Sequence, residues 1–217
     1  MSETPELLPA PAVASEIFGE RLPLAEAYHR SLATDGSIRG FIGPREVPRL
    51  WDRHILNCAV IGEAMPHGVR VADVGSGAGL PGIPLAIARP DLDITLIEPL
   101  LKRSVYLQEV VDLLGLPNVT VIRGRAEEKQ VRAALGEGVD IVTSRAVAPL
   151  GKLAGWSLPL VRKGGEMIAM KGSSVTEELE RDAVQIRKAG GGEAEIRTVG
   201  AELLEEPTTV IRIPRVH

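Results

Sequence analysis

The stretch from Val69 to Gly82, VRVADVGSGAGLPG, constrains this chain more than any other part of it. Val69, Val71 and Val74 form a short apolar run of strand type, alternating glycines follow at once, and Pro81 opens an apolar segment with helical spacing. The pattern predicts strand, tight loop and helix. A backbone turning sharply off a strand tip passes through positive φ, and one that must touch a ligand can carry no Cβ, so both demands select glycine. The free N–H groups opening the next helix then face a carboxylate or a phosphate.

Two registers coexist in the loop. Gly77, Gly79 and Gly82 satisfy the GxGxxG dinucleotide fingerprint, while Gly75, Gly77 and Gly79 give the GxGxG spacing used by Rossmann-like methyltransferases. Gly75 comes directly off the strand, and Asp73 precedes the turn, which favours the second register.

A chain of 217 residues with 3% aromatics can bury one large, aliphatic core, as parallel strands covered on both faces require. The single cysteine, Cys58, excludes an internal disulfide framework and a Cys-cluster metal site, and points to a reducing compartment. No apolar run approaches the roughly 20 residues that span a bilayer, and MSETPELLPAPA has no basic region ahead of an apolar one. A cytoplasmic protein without membrane attachment is expected. The net charge is −4, but Lys102–Lys171 carries eleven Lys and Arg against seven Asp and Glu. Bulk charge leaves the partner open.

Residues 1–14, rich in Pro, Ala, Ser and Glu, read as a flexible tail. Residues 15–66 read as a helical cap of two segments, about Ser15–Ala33 and Glu46–Ala64. Residues 67–217 form the sheet domain: strands at Val69–Val74, Ile94–Ile97, Asn118–Ile122, Val139–Thr143, Glu166–Met170, Ala194–Val199 and Thr208–Ile213. Helices are expected at Ile83–Ala88, Leu101–Gly115, 150–161 and Val175–Lys188, with KQVRAALGEGV before Asp140 as a loop. Strands that alternate with helices and then pair at the end define an α/β fold, a Rossmann-like, seven-stranded, doubly wound sheet with an antiparallel edge.

Such sheets bind ligands at the carboxyl ends of their strands. Glu98 ends the second strand 23 residues after Gly75, where an acidic residue accepts hydrogen bonds from ribose hydroxyls. Lys102 and Arg103 in the first turn of the next helix oppose its macrodipole, a local cost that hints at a use. The motifs VADVGSGAGLPGIPLAIARP, LIEPLLKR, VIRGRAEE, VTSRAVAPL and MKG, with RLWDRHILNCAV upstream, resemble the GidB or RsmG family of bacterial small-subunit ribosomal RNA methyltransferases. The likeness runs from about Arg39 to Lys171.

The resemblance implies a class I methyltransferase fold, S-adenosyl-L-methionine as cofactor, and N7 of a guanine in 16S ribosomal RNA as methyl acceptor. It places Gly75 and Leu80 on the methionine and ribose side, Gly77 among the cofactor-binding residues, Glu98 at the ribose, Ala126 and Glu127 at the adenine, and Arg145 bordering the cofactor pocket where the target base would enter. N7 already offers an in-plane lone pair, so positioning suffices and no indispensable acid or base is expected. Cys58 lies mid-helix as a small core residue rather than a nucleophile, and Ser144, Arg145 and Ala146 lack the acidic or amide-plus-proline pattern of exocyclic amine methylation. Expected RNA contacts are Arg49, Arg53, His54, Lys102, Arg103, Arg123, Arg125 and Lys171, acting mainly on phosphates. His29, His67 and His217 show no ligand spacing, and no metal is expected. Two other classes stay open: a nicotinamide-dependent oxidoreductase using the Gly77, Gly79, Gly82 register, and a non-enzymatic cofactor-binding factor of small-subunit assembly.

Overall fold

Strands β1 (Arg70–Val74), β2 (Asp93–Glu98), β3 (Val119–Arg123), β4 (Val139–Arg145), β5 (Val161–Met170), β6 (Glu195–Val199) and β7 (Thr208–Pro214) form one sheet in the order β3-β2-β1-β4-β5-β7-β6. The structure is a computed structural model describing residues 7–145 and 147–217. β1 to β5 pair in parallel, and β7 runs antiparallel between β5 and β6. The chain reverses its winding at β1, so β1 and β4 flank the switch point at which such sheets bind ligands.

Both faces are covered, which is why the central strands are apolar on both sides. One face carries α4 (Gly82–Ala88), α5 (Leu101–Leu114) and the N-terminal cap, packed as a cluster that includes Tyr28, Leu50, Ile55, Ile83, Leu96 and Leu107. The other carries α6 (Lys129–Leu135), α7 (Leu150–Ser157) and α8 (Val175–Lys188) over two aliphatic clusters. The cap is nearly continuous helix: α1 (Ala12–Phe18), a tight turn whose first residue, Gly19, has φ +54°, then α2 (Leu22–Ser31), and further on a run from Pro44 to Ala64 containing α3 (Leu56–Ala59).

Three expectations change. Of the expected tail, residues 1–6 lie outside the described residues. From Leu7 onward the chain is tied down: the Leu8 carbonyl accepts from Trp51 Nε1 at 3.2 Å, and Ala14 is fully buried. KQVRAALGEGV contains helix α6, because Val131 and Leu135, one turn apart, bury against Val139 and Val161 before Gly136 turns the chain at φ +64°. The helix expected over 150–161 runs as α7 to Ser157 and then as a tighter 3-10 turn to Leu160, and β5 starts earlier than expected, where Val161 pairs with Val139 ahead of a register shift.

Candidate functional site: the strand-tip rim

Two carboxylates and one phenol hold the glycine loop. Gly75 and Ser76 donate from their amides to Ile97 O at 2.9 and 3.1 Å, hanging the loop on β2. Gly77 N–H donates to Glu98 Oε1 at 3.0 Å, and Leu100 N–H to Glu98 Oε2 at 2.8 Å. Gly82 N–H donates to Asp73 Oδ2 at 3.0 Å, and Tyr28 OH reaches up from α2 to Ala78 O at 2.7 Å. Gly75, Gly77 and Gly79 have φ of +69°, +57° and +103°, so the loop demands glycine for conformation. Gly82 is demanded by closeness: a Cβ there would lie 2.2 Å from Leu96 Cδ2 and 2.7 Å from Asp73 Oδ2.

Asp73 is fully buried beneath the loop, and burial pushes its carboxyl up to about 7 against the pull of the Gly82 amide and Arg145. Among the described residues its Oδ1 has no partner, nor has Oγ1 of Thr143, which stands opposite it in register on β4. Both groups lie inside the protein under the loop.

Beside the loop lies a slot of about 120 Å³ lined by Val74, Gly75, Ile97, Ala126, Val147 and Trp156, with Glu127 at its rim. Its walls are largely apolar, which suits a flat heteroaromatic ring. A Cβ on Gly77 would meet nothing closer than 4.0 Å, so the loop backbone borders open space where a ligand can approach. Glu98, buried at the β2 tip, spends one oxygen on each of two backbone amides and so ties the loop to the start of α5. Loop, slot and carboxylate together fit an adenosyl group.

On the other side of Val147, a larger cleft of about 740 Å³ opens over the tips of β4, β5 and β7, lined by residues including Asn57, Arg145, Met170, Lys171, Glu178 and Thr208. Side chains from distant segments build it. Lys171 Nζ donates to Ala148 O and Glu178 Oε1, both at 3.0 Å, and the two charged side chains are only 8% and 12% exposed. Thr208 Oγ1 donates to Asn57 O at 2.8 Å. Arg145 Nη1 meets His54 Nδ1 at 2.8 Å, and His54 Nε2 meets Glu46 Oε2 at 2.7 Å. Burial pushes the Cys58 thiol, which lies against Arg145, up to about 12, so it stays protonated.

The expected RNA-contacting residues separate into two groups. Lys102 and Arg103 in the first turn of α5, with Arg123 and Arg125 at the β3 tip, make one group; Arg125 lines the slot, Lys102 lines a separate groove with Arg39 and Phe41, and all but the partly buried Arg103 are exposed. Arg49 and Arg53 are exposed on the cap beside a second groove of about 670 Å³, which shares Asn57 with the larger cleft. Among the described residues neither group enters an ion pair. His54 and Lys171 differ from them, because their polar atoms are engaged inside the protein. Sequence reasoning did not find Tyr28, Glu46, Asn57 or Glu178. No spacing rule links them to the loop; only the packed cap and α8 bring them there.

A parallel sheet wound about β1, a three-glycine loop and an acidic β2 tip define a class I methyltransferase that uses S-adenosyl-L-methionine. Solved structures share the fold: Aeropyrum pernix fibrillarin, determined with natively bound S-adenosyl-L-methionine, aligns at 22% identity and TM-score 0.52 over 74% of each chain. M. jannaschii TYW2 in complex with AdoMet aligns at 20% identity and TM-score 0.53, over 75% of this chain and 74% of that one.

The sequence itself is more specific. Residues 21–206 match the model of the GidB family, rRNA small subunit methyltransferase G, and the chain belongs to that family. Ribosomal RNA small subunit methyltransferase G of Corynebacterium glutamicum (strain R) is 76% identical over 94% of this chain and 92% of its own length. The protein of that name in Corynebacterium efficiens is 74% identical over 96% and 89%, and that of Rhodococcus jostii 61% identical over 94% and 89%. Family membership selects the methyltransferase register of the loop over the nicotinamide one. Gly82 completes the other fingerprint for a packing reason, the close approach of α4 to β1 and β2.

Proposed function

We infer that this enzyme transfers the methyl group of S-adenosyl-L-methionine to N7 of a guanine in 16S ribosomal RNA, within the small subunit or its naked RNA, in the cytoplasm. The observation that carries this reading is the family match across residues 21–206, laid over a site whose cysteine, Cys58, burial keeps protonated. Bound in the slot, the cofactor supplies a sulfonium-activated methyl group. Gly75, Gly77 and Leu80 would hold its methionine and ribose side, Glu98 would accept from the ribose, and Ala126 and Glu127 would flank the adenine. Arg145, in the cleft, would border the place where the target base enters.

Chemistry at N7 needs alignment rather than deprotonation, because the lone pair lies in the plane of the base. The protonated Cys58 and the engaged Lys171 are consistent with this, since neither is available as nucleophile or base. Lys102, Arg103, Arg123 and Arg125 on one side, with Arg49 and Arg53 on the other, would hold phosphates of a strand whose target guanine enters the cleft. His54 and Lys171 then shape the cleft rather than grip the backbone.

The test combines purified protein, methyl-labelled cofactor, and naked rRNA or small subunits from cells lacking this gene, followed by nucleoside mass spectrometry. Labelled 7-methylguanosine is expected; label on another nucleoside, or none with either substrate while the cofactor binds, would overturn the assignment.

A further inference from the structure

We propose that Glu46 and His54 of the helical cap are positioning residues for methyl transfer: together they fix the Arg145 guanidinium at the mouth of the acceptor cleft. The proposal rests on the methyl-transfer reading above and extends it to side chains that lie outside the cofactor site.

The geometry allows one arrangement of protons. An arginine side chain has only N–H donors and does not give up its charge. With Arg145 Nη1 at 2.8 Å, His54 Nδ1 must therefore be the acceptor and carry no proton. The remaining hydrogen sits on Nε2, where Glu46 Oε2 accepts it at 2.7 Å. The neutral Nε2–H tautomer is thus set from both ends. The two contacts join a helical turn at Glu46, the helical run at His54 and the tip of β4, 91 residues further along the chain.

Arg145 lines the cleft, and tying one of its nitrogens to the cap fixes the plane in which the others are presented. A long side chain loses several rotors when ordered, and supplying that order in advance leaves less to be lost when the substrate docks. In a reaction that depends on alignment, about an ångström of displacement is costly.

The device works only while His54 is neutral. The charged and titratable groups facing it are Glu46, Arg53 and Arg145. Burial, with Arg145 and Arg53, holds its pKa below the ordinary 6.5, although Glu46 pulls the other way. As pH falls through that lowered value, Nδ1 gains a hydrogen, two donors face each other, and Arg145 is released.

Two substitutions separate positioning from packing. Asn places its side-chain oxygen near the position of His Nδ1, so H54N retains an acceptor for Arg145; Gln reaches the Nε2 position and leaves Arg145 unmatched. With unmodified small subunits, H54N is expected within about threefold of wild-type kcat and H54Q about tenfold or more below it, at matched thermal midpoints. The acid limb of the wild-type pH profile should vanish in H54N. In E46Q, which keeps an acceptor but loses the charge, it should move to lower pH. Equal losses in H54N and H54Q, or an acid limb retained in H54N, would overturn the proposal.

Nitrogen NMR of labelled histidine in the full chain gives a readout independent of turnover: His54 Nδ1 unprotonated and Nε2 protonated at neutral pH. The opposite tautomer removes the relay even in an active enzyme. An inactive wild type with the expected tautomer instead removes the methyl-transfer reading, and with it the functional role claimed for the pair.

Discussion

Around the tips of β1 and β2 the rim is held through loop backbone groups, bonded to the Ile97 carbonyl, to the Asp73 and Glu98 carboxylates and to the Tyr28 hydroxyl. Around β4, β5 and β7 it is held by side chains that cross the molecule, Arg145 to His54, Lys171 to Glu178 and Thr208 to Asn57. The glycine-loop half is therefore built around one strand–loop–helix unit and the strand beside it, and the half over β4, β5 and β7 by side chains from separate elements. An acceptor bound to one kind of RNA needs a cleft shaped by elements that vary independently.

Breaking the acceptor half should have the largest effect on stability. Lys171→Ala leaves Glu178 buried without its cation, and losing one partner of such a pair costs about 3 kcal/mol or more. Urea denaturation should show a lower midpoint at an unchanged slope, with cofactor affinity near wild type in the folded protein. A loss under about 1 kcal/mol would mean that the cleft is not built on this pair.

The cofactor half breaks by overpacking. In Gly82→Ala the added methyl collides with Leu96 and Asp73, and such crowding in a packed core costs about 2 kcal/mol. Calorimetry should show weakened S-adenosyl-L-methionine binding here, the reverse of the Lys171 result. Tyr28→Phe is milder. It strips Ala78 O of a buried donor, worth about 1 kcal/mol, and tests whether the cap steadies the loop through one hydroxyl. Unchanged cofactor affinity in this variant would confine the cap's influence to the acceptor side.

The smallest expected effect concerns the surface. Reversing Lys102 and Arg103 to Glu should leave folding and cofactor affinity unchanged, weaken RNA binding, and reduce its salt slope by about one for each phosphate no longer neutralised. An unchanged slope would move the RNA path to the Arg49 and Arg53 side.

What was legible in the sequence follows the same division. The loop, the strand before it and Glu98 could be read because their spacing is fixed by a turn that only glycine makes and by the length of one crossover helix. The strand sequence could be read because buried parallel strands are apolar throughout. Helix α6 was missed because two apolar residues one turn apart are too few to show a period until they find Val139 and Val161. His54 could be seen as a polar residue on a helix, but its task could not, since its partners lie at Glu46 and Arg145.

The sequence by itself determined the fold class, the family and the glycine loop, because these rest on patterns carried by contiguous stretches of chain. The tertiary structure alone decided how Arg145, Lys171, His54, Glu46 and Glu178 are paired. Those pairings join residues from seven to 91 positions apart, and proximity of that kind arises only when the cap, the sheet and α8 pack against one another.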